Sequence, residues 1–219
     1  CECAGTFTTN VVKAACVQWD QKIVESGKSM HAVVVNSGIA HACTGKEGWD
    51  ACEATAKAVE DALGVPYDSV AVASTGVIGM QLPVDKLVNG VKTMSGILEA
   101  SQNAGTEASK AIMTTDTVNK EIAYTFMAGG KKVTLGGMSK GSGMIHPNMC
   151  TMLAFLTTDL NIEKSLANRL GYGKIKIRFN EKPKVDLRTL RSALPKITLY
   201  SGGNFKMAKQ KFERTKPHI

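Results

Sequence analysis

Thr151 stands in the run Lys140-Gly-Ser-Gly-Met-Ile-His-Pro-Asn-Met-Cys-Thr-Met-Leu-Ala-Phe155, behind a glycine-rich approach and a Pro-Asn turn and ahead of apolar residues. That context suits a threonine that cuts the bond on its own N-terminal side, here Cys150–Thr151. Cleavage frees the Thr151 α-amine, which can then act as general base to the Thr151 hydroxyl. Other positions could complete the chemistry. Thr75 and Gly76 end a β-branched run, where backbone N–H groups can meet a developing alkoxide; a plain exit from a strand into a turn has the same pattern. Lys140 is flanked by small residues, so it could bind a carboxylate or polarise Thr151, or stand as a solvated loop lysine. Thr114, in Met113-Thr-Thr-Asp116, reads as a substrate contact or, more simply, as a cap at a helix end. His146 reads as a general base or as a packing residue beside the Pro147-Asn148 turn.

Other chemistries find less support. Gly45-Lys46 is followed by Glu47 and Gly130-Lys131 by Lys132, so neither glycine-rich loop has the Walker spacing of a phosphate site. The four histidines form no HExxH pair and the six cysteines form no double CxxC. Neither a metal nor a cofactor is expected. Scattered cysteines favour free thiols in a reducing compartment over a disulfide framework. Hydrophobic residues at 43% and charged residues at 21% describe an ordinary globular chain, with no apolar run long enough to span a bilayer.

These residues need elements to hold them. Residues 31–36 read as a buried strand followed by a glycine-rich loop from Asn36 to Gly48. Asp50 with Glu53 has a capping-box pattern, and Ala51, Ala54, Ala58, Val59, Ala62 and Leu63 line one helical face ended by Gly64 and Pro66. Residues 69–74 form a second strand leading into Thr75. Residues 83–94 and 106–113 read as helices, 121–127 and 132–135 as a hairpin around Gly129-Gly130, and 152–157 as a strand. Helices and strands alternate early and strands cluster later, which predicts an α+β layered fold. Beyond this, 165–170 reads as a helical turn, 175–179 as a strand and 182–219 as a solvated tail. Residues 160–219 carry 15 basic and 4 acidic residues, against 12 and 15 in residues 1–159. The charge break falls just after the Thr151 segment.

Together, Phe7-Thr-Thr-Asn10, Val35-Asn-Ser-Gly38, Ala42-Cys-Thr-Gly45, Ser74-Thr-Gly-Val-Ile-Gly79, Ile112-Met-Thr-Thr-Asp116 and Lys140 to Phe155 resemble the ornithine acetyltransferase (glutamate N-acetyltransferase) family of arginine biosynthesis. The likeness runs over about residues 4–159 in one consistent order. It implies an α+β sandwich with two central β layers flanked by helices, made as a precursor that cleaves itself at Cys150–Thr151. It further implies that Thr151 takes an acetyl group from N-acetylornithine and passes it to glutamate, with acetyl-CoA as a further possible donor. Thr75 and Gly76 fall on the family's oxyanion-hole pair, and Thr114, Lys140 and Thr151 on its substrate contacts. The implied setting is cytoplasmic, without membrane or nucleic-acid partners, and the cleaved fragments would associate as a heterodimer or higher oligomer.

Some residues depart from the family pattern. Cys150 stands where Ala is usual, and Ile39 and His41 stand where the family has Asn. The family's second chain also continues into motifs absent here, so the expected organisation is residues 1–150 up to the scissile bond, a short matching start at 151–159, and a basic tail. Three readings follow: an acetyltransferase, a truncated or frame-disrupted inactive relative, and a basic-tailed binding protein that uses 160–219 on nucleic acid or an acidic partner. An aminopeptidase or amidase with the same threonine logic is a related enzyme alternative.

Overall fold

β1 (Ala32–Ile39) and β2 (Val70–Val77) pair in parallel, in register from Ala32 opposite Val70 to Ile39 opposite Val77. A parallel pair needs a crossover, and α2 (Gly45–Leu63) supplies it. The computed structural model describes residues 2–141 and 152–160. Val70 and Val72 of β2 pack against Cys52, Ala56 and Val59 of α2 and against Cys16, Trp19 and Ile23 of α1 (Ala15–Ser26). α3 (Val84–Ser95) adds Val91 to this core. α2 buries mostly alanine and cysteine, which lets its axis lie close to its neighbours.

α1 also reaches the outer edge of β2. Val70, Val72 and Ser74 turn backbone groups away from β1, and α1 meets one group on each. Trp19 Nε1 donates to Val70 O at 2.9 Å, Val72 N donates to Asp20 Oδ1 at 2.8 Å, and Ser74 N points at the Cys16 thiol. Side chains that take up backbone groups in this way shorten the ladder an edge strand can offer another chain. Burial pushes the Asp20 carboxyl up to about 7 against the opposing Val72 N–H. Burial, with the Asp20 charge beside it, pushes the Cys16 thiol up to about 12.

The second sheet is an antiparallel meander of β3 (Lys120–Ala128), β4 (Lys131–Lys140) and β5 (Leu153–Thr158). Ala128 pairs with Lys131, which leaves Gly129 and Gly130 as a two-residue turn, both at positive φ (59° and 77°) as a type I′ hairpin requires. β4 pairs with β5 from Leu135 opposite Thr158 to Lys140 opposite Leu153. α4 (Gln102–Ala111) borders β3 and β4. The architecture is α+β, with two β-sheets flanked by helices. No helix among the described residues is long and apolar enough to cross a membrane.

Several expectations change. α1 had no element assigned to it. α2 starts at Gly45, not at Asp50: Asp50 lies inside the helix and pairs with Lys46 one turn earlier (2.7 Å), so the capping-box pattern is coincidental. Leu63 is exposed and Ala54 only partly buried, while Cys52, Thr55 and Ala56 are buried instead. β1 continues through Asn36-Ser37-Gly38, read as loop, because Gly38 pairs with Gly76 in register. α4 begins at Gln102 because Ser101 caps it, its Oγ accepting from Ala104 N. β4 runs on through Gly136 and Gly137, where the missing side chains admit Leu156 and Thr157 of β5. The expected elements at 165–170 and 175–179 and the tail lie outside the described residues.

Candidate active site

Thr75 and Gly76 sit near the end of β2, opposite Ser37 and Gly38 of β1. Gly76 has φ 138°, and a Cβ there would overlap the Gly38 carbonyl. Only glycine fits, and the strand end is fixed by that contact. A polar chain locks the same end. Ser74 Oγ donates to Asn36 Oδ1 (2.5 Å), and Asn36 Nδ2 donates to Ile39 O (2.9 Å). With its hydrogen spent on Asn36, Ser74 Oγ accepts from His41 Nδ1, 2.5 Å away. That assigns the proton of neutral His41 to Nδ1 and leaves Nε2 as a bare acceptor. His41 is 1% exposed, its Nε2 has no partner among the described residues, and burial lowers its pKa to about 4. His41 is thus an internal brace on Ser74, the residue before Thr75.

Lys140 ends β4 and is 5% exposed, not a solvated loop lysine. Its Nζ donates to Thr114 Oγ1 (2.7 Å) and to Thr75 Oγ1 (3.3 Å). Three residues singled out separately in the sequence therefore meet at one point. Thr114 is not a helix cap: α4 closes at Ile112, and the threonine lies beyond it. Among the described residues no carboxylate is within ion-pair distance of Lys140. An ammonium offers donors only, so both threonine oxygens act as acceptors toward it and each retains its own O–H to donate. The corner is one cation and two polarised hydroxyls with no anion among them. Such a set receives negative charge.

Asp116, read only as part of a polar run, supports this corner from behind. Its side chain is 0% exposed, and Oδ1 accepts from Lys120 Nζ (2.5 Å) and Gly141 N (2.9 Å). Burial alone raises its carboxyl, but Lys120 and the Gly141 and Thr114 amides outweigh it and hold the group below the ordinary aspartate value. The signal available in sequence was its spacing of four from Lys120. Cys150, Thr151 and His146 lie outside the described residues; Leu153, two positions after Thr151, is the residue paired with Lys140. No group of three or more potential metal ligands occurs among the described residues.

A family model described as the ArgJ family matches residues 1–190. The chain belongs to the ArgJ family. It is 48% identical over 180 residues to the arginine biosynthesis bifunctional protein ArgJ 1 of Clostridium acetobutylicum, covering 82% of this chain and 43% of that protein. It is 47% identical over 163 residues to the ArgJ of Symbiobacterium thermophilum, covering 74% and 40%. The chain thus spans less than half the length of these curated relatives. Among solved structures, the arginine biosynthesis bifunctional protein of Bacillus halodurans superposes with a TM-score of 0.61 at 39% identity, over 70% of this chain and 78% of that one. The ornithine acetyltransferase of Mycobacterium tuberculosis, complexed with ornithine, gives 0.59 at 41% identity, over 66% and 76%. The ArgJ-family match runs past residue 159, where the sequence motifs stop.

Proposed function

We propose that the chain carries the acyl-transfer site of an ArgJ-family acetyltransferase, with N-acetylornithine as acetyl donor and glutamate as acceptor. The observation that carries this reading is the buried Lys140 ammonium resting on the Thr75 and Thr114 hydroxyls with no carboxylate among the described residues to neutralise it. A tetrahedral intermediate of acyl transfer places an oxyanion where preorganised donors are worth most. Thr75 and Gly76 take the oxyanion role; Lys140 and Thr114 bind the substrate.

Thr151 is the nucleophile. Its hydroxyl attacks the Cys150 carbonyl, the acyl group shifts from nitrogen to oxygen, and water releases Cys150 as a carboxylate. The freed Thr151 amine then removes the hydroxyl proton as Thr151 attacks the acetyl carbonyl of N-acetylornithine. Ornithine leaves with the proton, and the glutamate amine takes the acetyl group from Thr151. The pairing of Leu153 with Lys140 supports this assignment, since Thr151 precedes Leu153 by two residues. In this reading the two sheets are the central layers of a sandwich, the cleaved pieces stay associated, and the protein works in the cytoplasm.

Intact-mass measurement of the purified protein tests the proposal. Two fragments divided at Cys150–Thr151, replaced by one uncut chain in Thr151→Ala, support it. An uncut wild-type chain that moves no acetyl group from N-acetylornithine refutes it and leaves an inactive relative of the family.

A further inference from the structure

Asp116 backs the Lys140 corner, yet its charge goes elsewhere. The carboxylate takes Lys120 Nζ and Gly141 N on Oδ1, and Thr114 N faces Oδ2 at 3.5 Å. Gly141 directly follows Lys140, and Thr114 carries the hydroxyl that Lys140 contacts. One buried side chain therefore ties together the two backbone points whose side chains meet. Gly141 has φ 149°, a backbone geometry that side chains disfavour, so the Asp116 hydrogen bond holds a link that has little stiffness of its own. Behind the corner, Asp116 pairs with Lys120, whose side chain is 23% exposed, rather than with the more deeply buried Lys140.

We propose that Asp116, neutralised by Lys120, is a positioning residue: it fixes the Gly141 and Thr114 backbones so that the Lys140 ammonium meets the Thr114 hydroxyl with its charge left for an anionic substrate group. This rests on the acyl-transfer reading of the corner, because the consequence that matters is where Lys140 stands. Asp116 touches no reacting atom. It acts through Lys140 and Thr114.

The test uses the full chain with isotope-labelled lysine and reads the Lys140 ammonium by NMR, the signal being assigned by its loss in Lys140→Met. In the wild type that ammonium, on a residue 5% exposed, should exchange slowly with water. Asp116→Ala should speed the exchange at least about tenfold, the scale set by losing charge-assisted hydrogen bonds. Asp116→Asn keeps one oxygen for Gly141 N and should recover part of the protection. Lowering the pH below the ordinary carboxylate range should move the wild-type Lys140 Nζ shift in one step, and that step should vanish in Asp116→Asn. Wild-type exchange in a folded Asp116→Ala, or a pH step that survives in Asp116→Asn, overturns the proposal. If the alanine variant does not fold, the near-isosteric asparagine variant decides alone: faster exchange without the pH step supports the proposal, and wild-type behaviour overturns it. No substrate enters this readout, so loss of acetyl transfer sinks the functional proposal without touching the clamp.

Discussion

Asp20 and His41 should pull the stability of this fold in opposite directions over the same pH range. Burial raises the Asp20 carboxyl from 3.8 to about 7, so the folded state holds a proton there that the unfolded chain has released. That contribution is fully present below pH 3.8 and is lost as pH rises through 7. Three units at 1.36 kcal/mol per unit make it about 4 kcal/mol. Burial lowers His41 from 6.5 to about 4, so the folded state refuses a proton that the unfolded chain accepts. Its contribution is present above pH 6.5 and is lost as pH falls through 4, about 3 kcal/mol over two and a half units. The two nearly cancel, and the wild type should vary little between pH 4 and 7. Asp20→Asn, which keeps an oxygen for Val72 N, should unmask the histidine, so that stability rises with pH across the window. His41→Asn should unmask the aspartate, so that stability falls. Urea unfolding followed by far-UV circular dichroism at five pH values supplies the slopes, and constant packing costs drop out of them. Parallel slopes in the two variants would refute the assignment of either buried group.

The remaining predictions concern the elements that hold the site. Gly76→Ala should cost about 3 kcal/mol or more, because it adds a backbone clash with Gly38 to positive-φ strain, whereas Gly79→Ala, at φ 79° with open space around it, should cost about 1 kcal/mol. Equal losses in thermal unfolding would remove the close-approach argument. Trp19→Phe keeps most of the ring packing but deletes the donor to Val70 O, and should lower stability by about 1–2 kcal/mol in urea titrations. An unchanged midpoint would mean that α1 does not support the edge of β2.

Local pattern sufficed where the governing forces were local. The Gly129-Gly130 turn requires two positive φ angles, and the pair of glycines announces them. The helix at 84–95 was legible from Val84, Leu87, Val88 and Val91. Asp50 shows the converse: a three-residue pattern matched a capping box, but the helix had already begun at Gly45 and the tertiary contacts of Gly48, Ala51 and Cys52 decided its start. The helix at 15–26 was available in the spacing of Cys16, Trp19 and Ile23, whereas its reach to the edge of β2, through Trp19 and Asp20, was not, because β2 lies some fifty residues away. The site divides in the same way. Thr75, Thr114 and Lys140 could each be singled out by motif, but the burial of Lys140 depends on partners 65 and 26 residues distant. Asp116 looked like one more polar residue in a loop, since nothing local reveals that Gly141 returns to it across 25 positions.

The central claim is that the Lys140, Thr75 and Thr114 corner serves acyl transfer by Thr151. Rapid quenching of the protein with N-acetylornithine, followed by peptide mass mapping, tests it most directly. The account predicts one acetyl group on the fragment that begins at Thr151, discharged by glutamate, and lost when Lys140 is changed to Met. Acetylation that is absent, that falls on another residue, or that persists undiminished in Lys140→Met would contradict it.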